Sequence, residues 1–231
     1  MNQAELFSDL QGKTPTNPGT IDQGQLFELS INAFYAALYA DLSELPIKAE
    51  IGRFVEKVKK AGNEAAGGSE TARILADRAA SDRGDPDVLV VLKASSKVQR
   101  EIHHITGFLR FSPGPDGVYT ARCAPDHFVL PALAEHFTLR FGETPWAIID
   151  EKRGLCLSRK SGGQAQLAPA SDITGEARPV TTPEPAAGAV DHWEDLWRLY
   201  HRSVNNEARK NPRLQRQLMP ERYQKYLVEM G

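Results

Sequence analysis

Six histidines, two cysteines and a crowded run of arginines are the residues of this 231-residue chain with types suited to chemistry. All six histidines fall between His103 and His201. His103, His104, Asp126 and His127 are candidates for proton transfer or metal binding, because imidazole titrates near neutral pH. Their spacing matches no standard ligand set, and two adjacent helical residues point about 100° apart. Hydrogen-bonded structural histidines are the favoured reading, so neither a metal nor another cofactor is expected. Cys123 and Cys156 are too few for a disulfide scaffold or a zinc ribbon, and their strand positions predict buried, unpaired thiols. The sequence holds no GxGxxG, GxSxG, CxxC or HExxH, and no P-loop signature.

The arginines are unevenly placed. Between Arg198 and Lys225 eight basic residues are opposed only by Glu207 and Glu221, a net +6 in a chain whose total is −2. Such asymmetry suggests an anionic partner, with nucleic acid the first candidate; the competing reading is a solvated helix face. Arg202, Arg209, Lys210, Arg213 and Arg216 suit phosphate contacts, and Asn205, Asn211 and Gln215 suit sugars, bases or backbone groups. The competing role for these polar residues is capping around Asn211–Pro212. A stripe of Trp193, Trp197 and Tyr200 is predicted to be buried and to anchor the patch. Phe108, Arg110, Thr120 and Arg122 form a second constellation, expected on one face of a sheet as stacking surface with phosphate-pairing charge. The alternative there is a covered face whose arginines pair with carboxylates.

The elements that must position these residues follow from periodicity. Apolar spacing predicts helices over 23–42, from Pro46 to Gly62, over 69–80 and from Asp85–Pro86–Asp87 through Ile105. At Gly107 the period changes to two. GFLRFSP and VYTARCAP flank the turn signature GPDG and predict a hairpin. A helix follows over HFVLPALAEHFTLRF, and PWAIIDEKRGLCLSR predicts a second hairpin around Lys152–Arg153–Gly154. The expected fold is α+β: N-terminal helices, a four-stranded antiparallel sheet of two hairpins joined by a helix, and C-terminal helices. The expected divisions are a flexible arm over 1–22, a core over 23–160, a linker over 161–190 rich in Gly, Pro, Ala and Thr, and a C-terminal helical element over 191–231 packing on the core. No apolar run approaches the ~18 residues of a membrane span, and the first residues lack a secretory pattern. A cytoplasmic, reducing setting is therefore expected.

The segments HHITGFLRF, YTARCAPDHFVLPALAEHF, RFGETPWAIIDEKRG and LWRLYHRSVNNEARKNPRLQRQLMPERYQKYLVE resemble one bacterial family, commonly labelled a probable DNA-metabolism protein. Related domains are fused to a uracil-DNA-glycosylase-like domain, and stand-alone members are often encoded beside a putative DNA-repair radical-SAM protein. The resemblance implies an accessory nucleic-acid-binding protein in DNA repair or modification, with DNA and one of those enzymes as partners. The alternatives are an enzyme acting on nucleic acid through His103, His104, Asp126 and His127, and a structural partner that does not touch DNA.

Overall fold

A computed structural model describes residues 26–28, 30–65, 68–114, 116–174 and 192–227; the side chains of 173, 174, 192–194, 207 and 216 lie outside the description. The chain divides into two compact units. The described part of the first comprises residues up to His103 together with Asp126–Val129, and that of the second comprises His104–Pro125 and the residues from Leu130 onward.

The first unit is helical. It contains α1 (Ile31–Asp41), α2 (Lys48–Asn63), α3 (Gly68–Ala80) and most of α4 (Pro86–Phe108). Helix α2 turns Ile51, Phe54, Val55 and Val58 inward at intervals of three and four, so one stripe is buried against its neighbours. Ser30 caps α1 by accepting from the Ala33 amide at 3.0 Å. Asp85 does the same for α4, accepting from the amides of Asp87 and Val88 at 2.9 and 3.2 Å. Pro86 follows that cap at the helix's first position, where its missing N–H costs nothing.

The second unit is built on a five-stranded sheet in the order β1 (Ser112–Pro113), β2 (Tyr119–Cys123), β3 (Trp146–Asp150), β4 (Leu155–Arg159), β5 (Gln166–Pro169). It departs from the expected four antiparallel strands in three ways. First, β2 and β3 run parallel, with Tyr119 opposite Trp146 and Cys123 opposite Asp150. A parallel pair needs a crossover of a dozen or more residues, and α5 (Leu130–Phe141) supplies it. Second, the first hairpin is short. Helix α4 continues to Phe108, and only Ser112 and Pro113 pair with β2. The GPDG turn forms as expected, with Gly117 in the left-handed region at φ 77° and the Gly114 amide donating to the Val118 carbonyl at 2.8 Å. Third, β5 lies inside the stretch expected to be a linker, and α6 (Ala170–Thr174) follows it. Ala165 and Leu167 are buried there, so pairing with β4 overrides a sequence poor in β-formers.

Strand β3 is buried on both sides, because each face of the sheet is covered. Trp146 packs against Phe137 and Phe141 of α5, at centroid distances of 6.1 and 6.4 Å. Ala147, Ile149 and Cys156 form the core of the opposite face with Val118 and Ala170. Both cysteines are buried and neither forms a disulfide. Cys123 pairs in register with Asp150 and Cys156 with Ile149, which places the two thiols on opposite faces.

The C-terminal elements are α7 (His192–Val204), a 3-10 turn (Glu207–Arg209), α8 (Pro212–Leu218) and α9 (Glu221–Gln224). Asn211 caps α8 by accepting from the Leu214 amide at 3.1 Å, the capping role weighed for it in the sequence.

Candidate nucleic-acid interface

All seven candidate phosphate-binding residues belong to the second unit, and the described ones differ in what engages them. Arg110 is not on the sheet. Its guanidinium donates to the carbonyls of Gly107 and Leu109, at 3.0 and 3.3 Å, and lies 5.5 Å from the ring centre of Trp197. It satisfies the end of α4, where carbonyls lack helical partners. Phe108 also leaves the sheet, packing on Tyr223 at 5.6 Å. Of the expected sheet face only Thr120 and Arg122 remain together. Arg122 sits 3.6 Å from the Glu151 carboxylate and is mostly shielded. Its Nη1 is buried without a hydrogen bond, so this cation is held by charge attraction rather than by a directed bond.

Glu151 is the centre of a cluster that sequence reasoning missed. The Tyr226 hydroxyl donates to it at 2.7 Å, and Lys225 lies 3.8 Å from the same oxygen. Burial, followed by the adjacent Glu151 carboxylate, raises the Tyr226 phenol far above its ordinary pKa. Next to it, fully buried Asp150 accepts from the amides of Lys152 and Arg153 at 3.0 and 3.2 Å and from the Arg153 guanidinium at 2.8 Å. Arg153 also donates to the Pro125 carbonyl at 3.1 Å. These contacts close the β3–β4 turn and brace the C-terminal segment; every carboxylate is already engaged by donors. The 75-residue separation of Glu151 and Tyr226 left no local signal to find them.

Within the basic segment the charges divide. Arg198 pairs with Asp195 at 3.3 Å. Arg222 and Lys225 lie over the rings of Tyr223 and Tyr226, at 4.9 and 4.5 Å. Arg202, Arg209, Lys210 and Arg213 are exposed, and Arg202, Arg209 and Arg213 enter no ion pair among the described residues. The side chain of Arg216 lies outside the description. The predicted burial of the aromatic stripe fails where it is visible. Trp197 and Tyr200 are exposed, and the Trp193 side chain is outside the description. The anchor is instead Tyr223, which is buried against His104 and Phe108, together with buried Leu227.

The histidine candidates are divided between the two units. His103, Asp126 and His127 fall in the helical unit and His104 in the sheet unit. The buried Glu101 carboxylate accepts from the amides of Asp126 and His127, both at 2.8 Å. The Nδ1 of His127 is 2.8 Å from the Ser43 carbonyl, which can only accept, so that nitrogen carries the proton. Among the described residues no group of three or more His, Cys, Asp or Glu side chains is arranged to hold a metal ion. No helix among them is long and apolar enough to cross a membrane.

These features define a mixed α/β protein that carries an exposed basic segment on a buttressed sheet. The chain belongs to the family described as a domain of unknown function, DUF4130, whose model matches residues 70–229. No curated protein and no solved structure matches it.

Proposed function

We propose that the protein is an accessory nucleic-acid-binding factor in DNA repair or modification, acting beside a radical-SAM or uracil-DNA-glycosylase-like enzyme. The observation that carries this reading is the pair of exposed arginines Arg209 and Arg213, which enter no ion pair among the described residues, in a segment where Asp195, Glu151 and two tyrosine rings engage Arg198, Arg222 and Lys225. Exposed guanidinium groups make charge-assisted bonds to phosphates at little desolvation cost. The partner enzyme rests on the sequence resemblance alone, and the cytoplasmic setting on composition. Engagement of the carboxylates by donors favours binding over catalysis.

Binding through several phosphates releases counterions, so affinity falls steeply with salt. Arg209→Gln combined with Arg213→Gln is expected to weaken DNA binding similarly across sequences and to lower the magnitude of the salt slope by about 2. Affinity measured against salt by fluorescence anisotropy checks this. Unchanged affinity in a folded double variant would remove the phosphate role.

A further inference from the structure

Among the described residues, helix α7 presents an exposed apolar face. Leu196, Leu199, Tyr200 and Val204 are 53%, 63%, 56% and 57% exposed. At about 100° per residue they share one arc of roughly 140°. Asp195 and Arg202 lie together on one edge of that arc, beyond Leu199. They are two helical turns apart, about 10 Å along the axis. Isolated surface leucines need no explanation, whereas a contiguous apolar stripe marks an interface.

We propose that this stripe pairs with its counterpart on a second copy of the chain, the two α7 helices running antiparallel about a two-fold axis near Leu199. Antiparallel pairing brings like edges together, so Asp195 of one copy faces Arg202 of the other, and the ion pair occurs twice. It also sets the helix dipoles head to tail. Asp195 already takes Arg198 within its own helix at 3.3 Å, and a carboxylate has a second oxygen for another guanidinium. Nucleic acid suits the stripe less well. Leu196, Leu199 and Val204 are aliphatic, so Tyr200 is the one ring of the four for base stacking, and Asp195 repels phosphate along the adjoining edge. Arg202 therefore serves the pairing, leaving Arg209 and Arg213 to the surface proposed above. A helix of 13 residues is about 20 Å long, so the interface is small and the dimer weak, with a Kd on the order of micromolar.

Sedimentation velocity of the full chain from about 1 to about 200 μM is the test. The expected result is a shift from monomer to dimer across that range, abolished by Leu199→Asp, whose far-ultraviolet circular dichroism should remain that of the wild type. Asp195→Arg and Arg202→Asp should each weaken the dimer by about tenfold or more, and the double variant should restore it. A monomer at every concentration overturns the proposal, as does a dimer indifferent to Leu199→Asp or unrestored in the double exchange. A monomer whose Leu199→Asp variant loses affinity for oligo-dT would overturn the pairing and assign the face to nucleic acid. The Arg209 and Arg213 variants leave this stripe untouched, so the two proposals fail separately.

Discussion

Tyr226 shows how one side chain joins distant parts of the chain. Its hydroxyl reaches Glu151 at 2.7 Å, and the loss of solvent together with the nearby carboxylate resists ionisation. A raised value in the folded state means that the neutral phenol favours folding below the unfolded value near pH ~10 and that this contribution fades as pH rises beyond it. The expected outcome is that wild type and Tyr226→Phe show the same tyrosinate absorbance at 295 nm up to pH ~11, differing by one tyrosine only after denaturation. Removing the hydroxyl should also cost about 1 kcal/mol in urea unfolding, since the hydrogen bond has a charged acceptor but is partly solvated. Cys156 behaves by the same physics. Burial pushes its thiol up to about 11, which fits a packing role rather than a reactive one.

At the scale of elements, the start of α4 is fixed twice, by its cap and by charge. Lys57 bonds Asp85 and Asp87 at 2.5 and 2.8 Å, and Arg53 grips Asp87 through two nitrogens at 3.0 and 2.8 Å. The Arg53 and Lys57 bonds hold the Asp87 carboxyl well below the usual carboxylate range, and Lys57 with the cap amides lowers Asp85. Because these values are lowered on folding, the stabilisation is present above the unfolded range near pH ~4 and is lost as pH falls through the folded values. Urea midpoints measured from pH ~6 down to ~2 should therefore decline in the wild type, and Asp87→Asn should start lower and decline less. The sheet follows a different logic. β2 and β3 are adjacent because α5 bridges them, and α5 earns its place by burying Phe137 against Trp146.

Across the whole molecule, charge is segregated: a net +6 between Arg198 and Lys225 sits in a chain of −2. The described buried anchors of the exposed basic run lie on its C-terminal side, at Tyr223 and Leu227, while on its N-terminal side the exposed Trp197 only carries the Arg110 guanidinium over its ring. Tyr223→Ala should remove the packing with His104 and Phe108, a loss of about 3 kcal/mol for a buried aromatic. Trypsin should then cut after Arg209, Lys210 and Arg213 at least about tenfold faster, because cleavage samples local opening. Equal cleavage rates would show that the segment is held elsewhere.

The sequence alone determined what is local. Apolar spacing of three and four was enough for α2, and Asp85–Pro86 for the start of α4. GPDG sufficed for the turn at Gly117, and strand position for the buried cysteines. Charge counting located the segment with exposed arginines, because composition needs no partner to be read. Tertiary structure decided what depends on partners far along the chain. Strand direction was one such choice: two adjacent alternating segments read alike whether parallel or antiparallel, and only the α5 crossover settled it. Phe108 was another, drawn from an expected strand into a helix by Tyr223, 115 residues later. Arg110 and Arg122 lost their freedom to carbonyls and to Glu151, and the α7 stripe kept its exposure because no described part of the chain covers it. Periodicity reveals which face of an element is apolar; what meets that face is fixed only when the chain closes on itself.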